Sequence, residues 1–126
     1  GNTIEIFGDP KATRKRFMSI VTDSKALEEP KDPETCNVFK LYKLFATPEQ
    51  QADLAARYRA GGMGYGTAKK ELADLFEAHF APMRAKRAEL AANPDYVESV
   101  LQKGAAKARA LAGETVRKAR RAVGLE

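Results

Sequence analysis

The chain has 126 residues, with 22 alanines, one Cys, one His and no Trp, and its 22 Lys and Arg against 17 Asp and Glu leave a formal net charge of +5. That length suits one small domain. A lone Cys makes no internal disulfide, one His with one Cys makes no zinc site of the usual kind, and no apolar run reaches the roughly 18 residues of a membrane span.

No charged-then-apolar signal segment opens the chain. Alanine outnumbers the nine Ile and Val together, which favours helix over strand. Residues 1–8 nevertheless alternate, with Ile4 and Ile6 on one side and Glu5 and Phe7 on the other. The segment is too short to be a sheet and reads as a linker or strand remnant. It is expected to be disordered or to pack on a neighbouring molecule.

Asp9-Pro10 predicts a helix start, with Asp as N-cap and Pro in the first helical position. Phe17, Met18, Ile20 and Val21 are its apolar positions, Arg14 to Arg16 a basic run, and Thr22-Asp23-Ser24 its end. Residues 25–34, charged and holding two prolines, read as a solvated loop. Val38, Leu41, Tyr42 and Phe45 follow the i, i+3, i+4, i+7 rule, with Phe39 and Leu44 widening the stripe of a short central helix.

Thr47-Pro48-Glu49-Gln50 is a capping box that opens a third helix carrying Leu54, Ala55 and Tyr58, and Gly61-Gly62 closes it. A fourth helix follows Gly61-Gly62-Met63-Gly64-Tyr65-Gly66. Leu72, Leu75, Phe76, His79, Phe80, Met83 and Leu90 lie on one face, and Pro82 is expected to kink it. Asn93-Pro94 caps the last helix, which holds Val97, Val100, Leu101, Ala108, Leu111, Ala112, Val116, Ala119 and Val123 in register. Gly104 on that stripe suggests close helix contact. The pattern predicts an all-α bundle of about five helices.

Cys36 and His79 both sit in apolar helical patterns, which assigns them to packing rather than to a nucleophile–base pair. The glycine run lacks the Gly-Lys-Ser/Thr ending of a phosphate loop, so a tight turn with positive φ accounts for it. A second reading stands beside that one. A helix N-terminus with Tyr65 just before it and Lys69 and Lys70 in its first turn offers an aromatic ring, cations and free N–H groups, which suit single-stranded RNA. Residues 94–126 hold seven basic and four acidic groups, so +3 of the excess lies there. Arg117, Lys118, Arg120 and Arg121 fit either a helix end that complements its macrodipole or a phosphate-contacting patch.

The opening Gly-Asn-Thr-Ile-Glu-Ile is similar to the segment just after the KMSKS loop of class I aminoacyl-tRNA synthetases. Further matches follow in order: Asp9-Pro10 with its basic helix to Ser24; Asn37 to Phe45; Gly64-Tyr65-Gly66 with Lys69 and Leu72; Phe80-Ala81-Pro82 with Arg84. Asp95-Tyr96-Val97 through Leu101, Gly104, Ala105, Lys107 and Ala108, and then Arg120 to Leu125, complete the set. Over nearly its whole length the chain resembles the tryptophanyl-tRNA synthetase family.

The resemblance implies a C-terminal fragment beginning just past the KMSKS loop: residues 1–8 as linker from the catalytic domain, and 9–126 as the helical domain that helps bind the tRNA anticodon region. It implies a cytoplasmic parent, a homodimer, that joins tryptophan to its tRNA using ATP with magnesium. The HIGH and KMSKS motifs are absent, so this part alone is expected to be inactive and to hold no cofactor or metal. Its expected partners are the tRNA for tryptophan and the missing catalytic domain, with no membrane. Asn2 follows the ATP-handling loop in order. Tyr65, Lys69, Lys70, Arg117, Arg120 and Arg121 are the candidate RNA contacts. A free-standing helical RNA- or protein-interaction module without catalysis is the alternative.

Overall fold

A computed structural model describes residues 3–125, so Asn2 lies outside the described residues. The order is α1 (Pro10–Met18), α2 (Asn37–Tyr42), α3 (Pro48–Ala60), α4 (Tyr65–Ala91) and α5 (Pro94–Ala122), with no strand among the described residues. The chain divides into two compact units, one through Arg84 and one from Ala85 onward.

Local sequence places the helix starts. The Asp9 carboxylate accepts from the Ala12 N–H at 2.8 Å. Thr47 and Gln50 form the full reciprocal box: the Thr47 hydroxyl accepts from the Gln50 N–H, and the Gln50 side chain accepts from the Thr47 N–H. Asn93 accepts from the Tyr96 N–H at 3.3 Å. Three ends differ from the sequence expectation. α2 closes at Tyr42, so Leu44 and Phe45 lie in the turn after it and Leu44 is exposed. α1 stops at Met18, where Ser19 turns its hydroxyl back onto the Arg16 carbonyl; Val21 then stands in solvent. Tyr65 is the first residue of α4 rather than the residue before it, which moves Lys69 and Lys70 into the second turn.

The first unit carries the core. Phe17 of α1, Val38, Phe39 and Tyr42 of α2, Leu54 and Tyr58 of α3, and Leu72 and Phe76 of α4 are buried together. The T-shaped pairs Phe17–Phe76, at 5.0 Å between centroids, and Phe45–Phe76, at 5.6 Å, tie α1 and the turn after α2 to α4. Cys36 is buried, its sulfur 3.6 Å from the Tyr58 hydroxyl. His79 corrects its sequence reading. It is exposed at the core's rim, its ring set edge-on against Phe45 and Phe80, because the packed face of α4 runs through Phe76 to Phe80 and leaves His79 at its edge.

The opening segment is also corrected. Ile4 and Ile6 pack on this core, the Ile6 carbonyl accepts from Arg84 Nε at 2.7 Å, and the Glu5 carbonyl accepts from the buried Thr13 hydroxyl. Alternation of apolar residues gives even a short extended segment a face to bury. The solvated-loop reading of 25–34 fails at Lys31 and Pro33, which are buried while their neighbours stay exposed.

The second unit holds the end of α4, the turn at Ala92-Asn93 and α5. α4 continues through Pro82 as one helix. No residue of α5 is buried: Leu111 is 79% exposed, and Val123, which caps the helix, is 70% exposed. A Cβ on Gly104 would meet nothing within 4 Å. The close contact expected there is absent among the described residues. Apolar register shows which face is apolar, not what covers it.

Candidate nucleic-acid interface

The first group of candidates lies where α3 turns into α4. Gly61 and Gly62 have φ of 77° and 74°, in the region that favours glycine. At Gly61 a Cβ would also lie 2.4 Å from the Glu28 carbonyl oxygen, so the turn and the 25–34 loop touch backbone to backbone. Met63 is buried beneath the turn.

Tyr65 then enters α4 with its polar and apolar surfaces both engaged. Its hydroxyl donates to Asp23 Oδ1 at 2.7 Å, its ring meets Tyr58 edge-on at 5.9 Å, and the Lys31 ammonium stands 5.3 Å from its centroid. The hydrogen bond from Tyr65 holds the Asp23 carboxyl below its ordinary range. Desolvation, followed by the Asp23 carboxylate, pushes the Tyr65 hydroxyl well above the usual tyrosine range. Lys69 is half-buried and donates to the Met18 carbonyl at 3.2 Å, joining α4 to the end of α1. Lys70 is exposed.

The second group is at the end of α5. Arg117, Arg120 and Arg121 are exposed and spaced i, i+3, i+4, so they share one helix face. Gly124, with φ of 74°, ends the helix, and the Leu125 N–H closes onto the Arg120 carbonyl at 2.9 Å. These cations also lie where the macrodipole favours positive charge. The structure thus gathers Tyr65, Lys69 and Lys70 at one end of α4, and the three arginines at the end of α5, in separate units.

The functional reading did not include Asp23 or Lys31, which surround Tyr65. No pattern marked them, since both are charged residues in stretches that read as surface. No group of three or more His, Cys, Asp or Glu suited to a metal occurs among the described residues, and no helix there is long and apolar enough to cross a membrane.

The fold is all-α among the described residues, with exposed cations at the start of α4 and at the end of α5. No family model matches the chain. Comparison with known proteins narrows this: the chain is similar to the tryptophan–tRNA ligases and matches their C-terminal part. It is 50% identical over 124 residues to the ligase of Rhodopirellula baltica and 46% identical over 124 residues to that of Campylobacter jejuni. Each match takes in 98% of this chain but 39% of the relative's length, so the chain spans about two-fifths of these ligases. The crystal structure of the Campylobacter jejuni tryptophanyl-tRNA synthetase complexed with ADP and tryptophan superposes with a TM-score of 0.93 over 98% of this chain and 39% of that one.

Proposed function

We propose that this chain serves as the C-terminal helical part of a cytoplasmic tryptophan–tRNA ligase and helps hold the anticodon region of the tRNA for tryptophan. The carrying observation is the 50% identity along nearly the whole chain, supported by the TM-score of 0.93 to the Campylobacter jejuni synthetase. In this reading the activation of tryptophan with ATP and magnesium belongs to the part of the ligase that this chain does not span. Residues 1–8 link to that part, residues 9–126 form the RNA-binding domain, and the complete ligase is a homodimer. The exposed Lys70, Arg117, Arg120 and Arg121 supply phosphate contacts. Tyr65 and Lys69, each committed to an internal partner, shape the α4 end.

The test is a titration of the 126-residue chain with tRNA at several salt concentrations. Binding is expected to weaken linearly in log affinity against log salt, as counterion release requires. Absence of binding at low salt, or binding indifferent to salt, would count against an RNA-holding role for this part.

A further inference from the structure

Lys31 is a buried cation that the RNA reading leaves unused. It is 2% exposed, within a loop whose other charged residues are solvated. Its ammonium donates to three backbone carbonyls, of Ala26 at 3.0 Å, Leu27 at 3.1 Å and Glu29 at 3.0 Å. An ammonium has three N–H donors, and here each has its own oxygen. The Tyr65 ring presents its π face 5.3 Å away. The Lys31 backbone N–H also donates to the Tyr58 carbonyl at 2.7 Å, and Lys25 Nζ donates to the Pro30 carbonyl at 2.9 Å.

We infer that the carbonyls of Ala26, Leu27 and Glu29, roofed by Tyr65, form a cation cage selective for a primary ammonium, and that the chain fills it with its own Lys31 to fasten the 25–34 loop onto the α3–α4 turn. Burying a charge is unfavourable unless its donors are satisfied, and three carbonyls with a π face satisfy these. The chemistry is specific. Arginine keeps the charge, but its planar fork does not present three converging donors to three oxygens around one nitrogen. Methionine keeps much of the stem but donates nothing. Packing alone would tolerate Met and charge alone would tolerate Arg, whereas the cage accepts neither.

The experiment compares Lys31→Ala, Lys31→Met and Lys31→Arg in the full chain by amide hydrogen exchange at Lys31 and Glu29, whose N–H groups bond the Tyr58 and Ala26 carbonyls. All three variants are expected to exchange at least about tenfold faster there, the factor set by losing one hydrogen bond to a charged group. Methylammonium chloride is then expected to restore protection to Lys31→Ala, which leaves the cage open, while tetramethylammonium chloride at equal ionic strength does not. If Lys31→Ala loses its helical circular dichroism altogether, the same titration reads the return of that signal. Wild-type protection in Lys31→Met or Lys31→Arg, or rescue that fails or is equal with both salts, would overturn the cage.

Discussion

The Tyr65–Asp23 pair sets a pH dependence at the residue scale. The Asp23 carboxyl is held below the ordinary carboxylate range, with the Tyr65 hydrogen bond as the leading cause. A depressed folded-state pKa means that the unfolded chain binds the proton first. The stabilisation is therefore present above the unfolded value and is lost as pH falls through the folded one. Stability should decline below about pH 4. Tyr65→Phe, which keeps the ring over Lys31 and removes only the hydroxyl, should flatten that decline. At the alkaline end the sign is opposite. Tyr58 and Tyr65 are both raised, mainly by desolvation, so their contribution is whole below the ordinary tyrosine range and drains away above it. Urea midpoints of the two proteins between pH 3 and 7 check the acid arm, and identical profiles would show that the hydrogen bond does not set it.

At the scale of elements, α4 and α5 respond differently to the same truncation. Leu72 of α4 is fully buried in the first unit's core, whereas Leu111 of α5 is 79% exposed. Leu72→Ala removes transfer energy and leaves a cavity, so a loss of about 2–5 kcal/mol is expected. Leu111→Ala removes surface that is already wet and gives Ala a slightly better helical position, so a change within about 0.5 kcal/mol is expected. Denaturation of both variants decides this, and a large loss at Leu111 would mean that the α5 stripe is packed in solution.

The same contrast explains what could be read from sequence. The caps at Asp9, Thr47 and Asn93 and the burial of Val38, Phe39, Tyr42, Leu54, Tyr58, Leu72 and Phe76 were legible because they depend on residues three or four apart, whereas Leu44, His79 and Met83 continue the same stripes and are exposed. The exposure of α5 was not legible, because an amphipathic pattern fixes a face and not its cover. Lys31 was not legible either. Its three oxygens belong to a loop path that no periodicity encodes, and a lysine between two prolines reads as surface. In the candidate interface the sequence located both cationic ends, but the hydrogen bonds that occupy Tyr65 and Lys69 became visible only with the chain folded.

For the molecule as a whole, the two cationic ends should contribute unequally to RNA affinity. Each cation that neutralises a phosphate adds about 0.9 to the log–log salt slope on a duplex and about 0.7 on a single strand. Arg117, Arg120 and Arg121 share an exposed face, and with only Arg117 and Arg121 counted in full, replacing all three with Gln should lower the slope for tRNA by at least about 1.4. Replacing Lys69 and Lys70 should lower it by only about 1, since the Lys69 ammonium already serves the Met18 carbonyl. Three lost charges are a large part of a net +5, so a control must separate local contact from overall field. Replacing the exposed Lys11, Lys15 and Lys40 with Gln removes the same charge from α1 and α2. If the control lowers the slope as much as the arginine triple does, RNA senses only net charge, and the end of α5 is no interface. If the arginine triple alone lowers it, the phosphate contacts lie on that face.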